Sequence, residues 1–541
     1  MIGKQFSEIL LRQVLASVAP IDDVALDQAL AALVVAEFLY EASVYPQVEY
    51  SFKHPLTQEV AQRSQLQARR IRVHAAVAQA MEDEGDNLDE RAAEIAQHWA
   101  EAEERGRAAQ WHRRAALWAG LSDPREVLRN WRRVRELAAG LSDEQERTAL
   151  SLEACQQLMG FGWRIGSSDE EIASVFADGR ALTRQLGDRR AEAMLVGGYS
   201  ALRGFSGGSA ADYVRYSEEA ASIAADIDDR AFRAAIVSLP MFAYQFTGEG
   251  WKMLGWMERV LAETGSDIQL GKDVLGYSPF AGTYMIRVLA NLSLGRLDEA
   301  LAAAKVGEEL VSAAGEWEPL AWVTFAGSWA CYAAGIPGRG VELARRCLAV
   351  AEKFHFEITV VLAHCLLGMG CLTDGQPAAA RESLLKSAAI VRENRTNVVV
   401  LPLILSALAE AQLALGALAE GLASAREAIE HASAGGCIYL EAGAQLALAK
   451  VLLAADGSLP RAEIEAALDR AQELVDAIEG RSLSPRVLEL RGRLAAALGD
   501  AAASERALRE ALDLYREIGA TGHAKRLALE TQPTSSQREQ P

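Results

Sequence analysis

A repeat of about 40 residues constrains the fold of this 541-residue chain more than any other feature of its sequence. Glycines recur at equivalent positions of successive segments, namely Gly295, Gly335, Gly375, Gly416, Gly457 and Gly499. A unit of this length cannot bury its apolar face alone, and stacking against its neighbours creates a continuous core. The repeat therefore predicts a solenoid of helix hairpins over residues 285–522.

A second position of the repeat is also restricted in size. Twelve residues after each glycine the sequence has a small side chain, at Gly307, Cys347, Ser387, Ala428 and Ala511. Two helices of a hairpin approach closely only where one turn lacks bulk, and the glycine suits the end of the first helix. Asp469, twelve residues after Gly457, departs from this pattern. We expect the repeat glycines, Ala428 and Ala511 to be packing positions.

These residues resemble the signature of the tetratricopeptide repeat. Leu294-Gly295, Leu415-Gly416 and Leu498-Gly499 match its Leu-Gly pair and its small residue twelve positions later. The aromatic positions of the signature are mostly absent, and the period exceeds the usual one of about 34 residues. The long period is similar to that of signal-transducing ATPases with numerous domains, the STAND class. The resemblance implies an all-α, right-handed superhelical solenoid.

The composition favours helices and opposes polyanionic partners. Half of the residues are hydrophobic, prolines number only 14, and the formal charge is -19. Binding to nucleic-acid backbones or anionic membranes is favoured by concentrated Lys and Arg, so we expect neither partner.

The pattern of residues 83–284 predicts degenerate helical hairpins, broken at Gly106, around Ser122-Asp123-Pro124 and at Gly140.

The first 82 residues have a different pattern and predict a small winged-helix-like unit with a linking helix. Helical periodicity over 6–18 and 24–35 precedes "EFLYEASVYPQVEYSFKH", where two β-prone runs flank Pro46. Such runs around a proline indicate a β-hairpin. A further helix is expected from about Thr57.

The run "EYSFKHPLTQEVAQRSQLQARRIRVHAAVAQAME" resembles the winged-helix end of STAND ATPases. It is most similar to bacterial proteins that join a class III nucleotide cyclase domain to an ATPase and a helical-repeat tail. In related proteins a histidine of this region contacts the phosphate of bound ADP, so the resemblance makes His54 a candidate nucleotide sensor. A vestigial or structural role is the alternative. Because the family carries its phosphate loop upstream, we expect this chain to be a fragment, an incomplete gene product or a decayed paralogue.

No catalytic motif is present in the sequence. It contains no G-x-x-x-x-G-K-[ST] phosphate loop, no H-E-x-x-H, no G-x-S-x-G and no C-x-x-C pair. We therefore expect no catalytic residue, no metal site and no cofactor in this chain. The six cysteines, and the pairs His98-Trp99 and Trp111-His112, are interpreted as packing residues.

Two aromatic clusters are candidates for a ligand groove inside the superhelix. They comprise Phe242, Tyr244, Phe246, Trp251 and Trp256 in the first cluster and Trp322 and Trp329 in the second. Aromatic packing between adjacent helices is the alternative interpretation.

The sequence thus favours a non-catalytic sensory and scaffold arm of a cyclase-linked STAND ATPase. Its partner would be a protein or small effector in the superhelical groove, with a nucleotide-binding domain in cis or in trans. One alternative is a subunit of a split adenylate or guanylate cyclase. Another is a regulator similar to the maltose-type activators, which would need a C-terminal helix-turn-helix, whereas residues 523–541 predict a short helix end and a polar tail. With no signal-peptide pattern, we expect a cytoplasmic location.

Overall fold

The computed structural model describes residues 2–43, 45, 47–85, 87–163, 168–206, 208–394, 397–455 and 460–531. Pro46, Gly457 and the last ten residues of the predicted polar tail lie outside this part of the chain. The described residues form two compact units, Met1–Leu158 and Met159–Pro541.

The first unit begins with two helices and a three-stranded antiparallel sheet. The sheet has the order β1-β3-β2, and β2 and β3 form the predicted hairpin. Its elements are β1 Gln5–Ser7, α1 Glu8–Val18, α2 Asp23–Val35, β2 Leu39–Ser43 and β3 Glu49–Phe52. Leu26, Leu30, Leu39 and Tyr50 form its small core.

The first helix starts two residues later than its periodicity predicts. Ser7 caps α1, because its side chain accepts a hydrogen bond of 3.1 Å from the backbone N–H of Leu10. Phe6 instead pairs with Tyr50 of β3. The apolar Phe6 therefore fits the helical pattern of the sequence but is used by a strand.

Six further α-helices begin within the described residues of the first unit. They are α3 Pro55–Arg63, α4 Gln67–Glu84, α5 Ala92–Glu101, α6 Arg105–Ala119, α7 Pro124–Ala138 and α8 Glu144–Gly162, which crosses the boundary between the units. Asp123 caps α7 at Glu126, as its position before Pro124 predicts. The predicted break at Gly106 is wrong: the chain turns at Glu103, where φ is 62°, and Gly106 lies in the first turn of α6.

The second unit is an all-α solenoid. Its helices are α9 Asp169–Leu186, α10 Arg189–Phe205, α11 Ala210–Ala225, α12 Arg230–Val237, α13 Leu239–Thr247, α14 Gly250–Thr264, α15 Lys272–Leu275, α16 Pro279–Ser293, α17 Leu297–Ala313, α18 Trp317–Ala334, α19 Arg339–Lys353, α20 Glu357–Thr373, α21 Pro377–Asn394, α22 Leu401–Ala414, α23 Leu418–Gly435, α24 Ile438–Leu453, α25 Arg461–Ala477, α26 Ser484–Ala497, α27 Ala501–Glu517 and α28 Thr521–Thr531. Each helix from α16 to α28 contacts the next, so hairpins stack along the chain.

The repeat positions explain how each hairpin closes. The repeat glycines have positive φ values between 69° and 82° just after the first helix, where a side chain would be strained; they are Gly295, Gly335, Gly375, Gly416 and Gly499. The small residue on the second helix faces the first. The Cys347 thiol donates to the Ala321 carbonyl at 3.2 Å, and the Ser387 hydroxyl donates to the Val361 carbonyl at 2.7 Å.

Asp469, which departs from the small-residue pattern of the repeat, does not lie in the core of its hairpin. Asp469 is exposed on α25 and lies 2.8 Å from Arg491, while Ala471 is fully buried on the same helix. The small buried side chain of this helix is therefore two residues further on.

The predicted domain boundaries at 82 and 284 both fall inside a unit. Helix α4 packs on α5 and α14 packs on α16, so the core continues across both positions. Among the described residues, no helix is long and apolar enough to cross a membrane.

Candidate functional site: a cavity inside a closed ring of helices

Parts of the second unit that are far apart in the sequence meet along one line of contacts. We call this line the seam; it joins residues 239–335 to residues 438–531. Helix α13 contacts α24, and α18 contacts α28. The Leu297 N–H donates to the Ile518 carbonyl at 3.1 Å, and Trp251 donates to Glu479 at 3.1 Å. One turn of the solenoid thus packs on the next.

Glycines allow the close approach at the seam. A Cβ atom on Gly335 would lie 2.7 Å from the backbone nitrogen of His523, and one on Gly295 would lie 2.9 Å from Arg481 Cβ. A Cβ atom on Gly248 would lie 2.5 Å from Tyr439 Cβ. Gly375, Gly416 and Gly499 have no neighbour within 4 Å at the same position. At the seam, a side chain on Gly248, Gly295 or Gly335 would clash with the neighbouring turn. Gly375, Gly416 and Gly499 have room for a Cβ atom.

The seam closes a ring of inner helices around a cavity of about 1210 Å³. The ring consists of α18, α20, α22, α24, α26 and α28, and contacts between α18 and α28 complete it. Trp329, Leu403, Tyr439 and Leu440 contribute apolar surface to the lining. The Trp329 and Tyr439 rings meet edge to face, with their centroids 6.0 Å apart.

A buried carboxylate on α22 joins three helices of the ring. The Glu410 carboxylate lies 2.6 Å from Nζ of Lys450 on α24 and 2.6 Å from Nη2 of Arg486 on α26. Burial alone would raise the pKa of Glu410, but the two positive charges lower it to about 2. Glu410 is therefore ionised at neutral pH and links the two basic side chains.

A second carboxylate joins α26 to the last helix. Glu489 accepts hydrogen bonds from Arg526 at 2.7 Å, from Arg493 at 2.8 Å and from the Tyr515 hydroxyl at 3.0 Å. Burial would raise the pKa of Glu489, and the hydrogen bonds and charges of Arg526 and Arg493 lower it to about 2. This cluster attaches α28 to the ring.

His523 lies where α28 meets α18. Its Nε2 atom is 3.2 Å from the Tyr332 carbonyl, and its ring stacks on Tyr515. Burial, with the charges of Arg486 and Arg526, lowers the pKa of His523 to about 4. A neutral His523 therefore donates its Nε2 proton across the seam at neutral pH.

The two predicted aromatic clusters do not form one groove. Phe242, Tyr244 and Phe246 are buried in the core of the second unit, and Trp322 packs against Phe242 at 5.6 Å. Trp256 packs against the same core and lies under Arg259, with 4.2 Å between the guanidinium carbon and the ring centroid. Of the predicted groove residues, Trp329 lines the cavity and Trp251 lies at the seam.

The candidate nucleotide sensor lies in the first unit. His54 is exposed, immediately before α3, and its side chain makes no capping hydrogen bond to that helix. Its neighbour Lys53 forms an ion pair of 2.7 Å with Glu37. The imidazole is thus available for a partner outside this unit.

The residues interpreted as packing residues are inside the protein. Trp99 and Trp111 donate to the same Glu82 oxygen at 2.5 Å and 2.6 Å. His98 is buried with its Nδ1 atom 2.9 Å from that of His74. All six cysteines are buried, and burial raises the pKa of Cys347 to about 12. No group of three or more candidate metal ligands occurs among the described residues.

Sequence reasoning missed the charged residues of the ring. Glu410, Glu489 and Arg486 carry no recognisable motif, but each lies on the first helix of a repeat hairpin. A search for charged residues on those first helices, between the apolar positions, could have found them. Glu410 and Arg486 meet because of the way in which successive hairpins stack, and that stacking has no local sequence signal.

No protein-family model and no curated protein matches this sequence. Solved structures resemble it at low identity. A Rap protein complexed with competence and sporulation factor is 10% identical with a TM-score of 0.48, over 70% of this chain and 99% of that chain. The APC/C heterotetramer Cut9-Hcn1 is 12% identical with a TM-score of 0.39, over 88% and 99%.

A STAND protein with a tetratricopeptide repeat sensor, from Pyrococcus horikoshii, also resembles the chain. It is 13% identical with a TM-score of 0.34, over 88% of this chain and 62% of that one. At such identities these neighbours assign no family to the chain. The repeat architecture itself is seen directly in its helices.

Proposed function

We propose that the chain is a non-catalytic, cytoplasmic sensory and scaffold arm that binds a protein or small effector inside the ring. The observation that carries this proposal is the cavity of about 1210 Å³ with its aromatic and charged lining. Ligand sites in proteins are concave and mostly apolar, with a few convergent polar groups. Trp329 and Tyr439 supply the apolar part, and Arg486 and Glu489 the polar part.

A photocrosslinking experiment tests where the partner binds. A photoreactive amino acid replaces Ser406, which lines the cavity, or Glu382, which is 71% exposed on α21. We expect one partner to crosslink at position 406 and not at 382, and the purified partner to bind the wild-type chain. Leu403→Trp places a larger side chain in the cavity and should weaken that binding, because the indole occupies part of the partner's volume. Equal crosslinking at both positions, or unchanged binding to Leu403→Trp, contradicts the proposal.

We also propose that the first unit docks a nucleotide-binding domain of a cyclase-linked STAND ATPase, either in cis or in trans. In support of this, α3 has no buried residue and exposes Leu56 and Val60 one turn apart. Val35 and Leu66 are also largely exposed. Exposed apolar side chains at helical spacing are typical of an interface. A split adenylate or guanylate cyclase would use the same interface in trans.

The role of His54 is tested in a complex with a matching ATPase domain. An imidazole N–H that donates to a nucleotide phosphate favours one nucleotide state, and losing such a bond costs about 1–3 kcal/mol. We expect His54→Ala to change the ratio of ADP to ATP affinity by this amount, while His431→Ala, in the second unit, leaves it unchanged. Equal affinities in wild type and His54→Ala would make His54 a structural remnant.

A further inference from the structure

The charges of the cavity differ in sign from those of the whole chain. The chain has a formal charge of -19. In the described part of the chain, five basic and three acidic side chains line the cavity, leaving an excess of positive charge: Lys450, Arg486, Arg493, Lys525 and Arg526 against Glu410, Glu489 and Glu530. An excess of one sign inside a concave, weakly hydrated site attracts the opposite charge. The ring therefore favours an anionic ligand.

The basic side chains also have donors to spare. The guanidinium of Arg486 has five N–H donors, and its hydrogen bond among the described residues goes to Glu410. Lys525 is exposed at the cavity and pairs with no carboxylate in the described residues. Glu410 and Glu489 are already shared between two basic partners each. A ligand carboxylate would find unused donors on α26 and α28.

Part of the cavity lining is apolar. Trp329 of α18, Leu403 of α22 and Tyr439 of α24 face the same space as Arg486 and Lys525. The volume of about 1210 Å³ exceeds the roughly 300–1,000 Å³ of a typical small-molecule site. This space suits several linked residues better than a single small acid.

From this arrangement we infer that the cavity binds a short peptide through a carboxylate and an apolar side chain. The carboxylate lies against the basic side chains of α26 and α28, and the apolar side chain lies against Trp329 and Tyr439. This inference rests on the proposed function, and it specifies the partner's chemistry. Because the peptide contacts α18 and α28 together, its binding also holds the seam closed.

The test uses the full chain and three pools of acetylated pentapeptides ending in Leu or Phe. The first pool has a free C-terminal carboxylate, the second is amidated and neutral, and the third is amidated with Glu before the last residue. We expect at least one acidic pool to bind about tenfold more tightly than the neutral pool, as loss of a charged hydrogen bond predicts. The preference should shrink in high salt.

Two lysine variants provide the matched comparison. Lys525→Met removes an unpaired charge from the cavity and should weaken the acidic pools about threefold, while the neutral pool is unaffected. Lys386→Met removes a similarly exposed lysine on α21, outside the cavity, and should change nothing. Neither variant removes a buried group, so both should fold. In hydrogen exchange, an acidic peptide should slow exchange of the α28 amides.

Other binding results would contradict particular parts of the inference. Equal binding of neutral and acidic pools overturns the inference of an acidic ligand and leaves the proposed peptide-binding cavity standing. As a further probe, 4-phenylbutyrate offers a carboxylate and a phenyl ring without a peptide backbone. If it binds and no peptide pool binds, the inference that the ligand is a peptide is overturned. If nothing binds, the whole inference is overturned. Unchanged acidic binding in Lys525→Met overturns the assignment of the carboxylate to the α26 and α28 side. The crosslinking experiment at position 406 judges the proposed function separately.

Discussion

The repeat glycines on the seam and those away from it have the same local structure but different surroundings. Gly335 and Gly375 have φ values of 69° and 71° and each follows the first helix of a hairpin. Gly335 lies against His523, whereas Gly375 has open space at the position of a Cβ atom. One sequence signal therefore serves two purposes. It ends a helix at the five repeat glycines that the structure describes, and at some of them it also allows the next turn of the solenoid to pack closely.

The largest expected effect concerns the contact inside the hairpin, which both groups of repeats share. Ala428 is fully buried on α23, and Ala428→Trp would force an indole into that contact. We expect a loss of about 3 kcal/mol, at the upper end of overpacking effects. Ala419→Trp on the exposed face of the same helix should cost less than about 0.5 kcal/mol. Chemical denaturation measures both, and equal stabilities would contradict the assigned register.

The second prediction separates the two groups of glycines directly. Gly335→Ala and Gly375→Ala both place a Cβ atom at positive φ, which costs roughly 1–2 kcal/mol. Gly335→Ala also pushes against the backbone of His523, so it should lose about 1 kcal/mol more, at the lower end of overpacking effects. Thermal and chemical unfolding of the two variants measures the difference. If both variants lose the same stability, the seam contributes nothing at Gly335.

The features predicted correctly from the sequence are those set by residues close together in the chain, such as helix ends. The glycine period located the helix ends, and Asp123-Pro124 located the start of α7. Errors arose where tertiary contacts decide, as at Phe6, which pairs with Tyr50 in a strand. The sequence could not predict the seam or the meeting of Glu410 with Arg486, because those contacts join residues 76 positions apart or more. Of the aromatic candidates, Trp329 alone lines the cavity, whereas Phe242, Tyr244 and Phe246 are buried in the core and Trp251 is exposed at the seam. Their positions depend on how the turns stack.

A third prediction uses pH to weaken the seam at His523. Its pKa falls from 6.5 in the unfolded chain to about 4, because burial and the charges of Arg486 and Arg526 oppose protonation. The unfolded state therefore binds more protons between these values, and stability falls as the pH decreases from about 6.5 to 4. Glu489 raises the pKa of His523 slightly and remains ionised over this range, since its own pKa is about 2.

The size of this effect is measured against two variants. Because His523 is only partly buried, we expect it to contribute about 1–2 kcal/mol to the decline between pH 6.5 and 4. His523→Asn removes the titrating group and should flatten this part of the curve. His431→Asn removes a half-exposed histidine of α23, outside the seam, and serves as the matched control for the effect of removing a histidine. A decline identical in all three proteins would show that the seam does not titrate at His523.

The smallest expected effect tests whether a surface contact of the seam matters. Trp251 donates to Glu479 at 3.1 Å and lies under the Arg296 guanidinium at 4.4 Å, but the indole is 49% exposed. Trp251→Phe removes the hydrogen bond and keeps the aromatic face. Since water competes for exposed donors, we expect a loss of about 0.5 kcal/mol, while Trp118→Phe in the first unit, 60% exposed, should lose less. Equal losses in denaturant titrations would mean that the seam depends on the buried glycine contacts and not on this hydrogen bond.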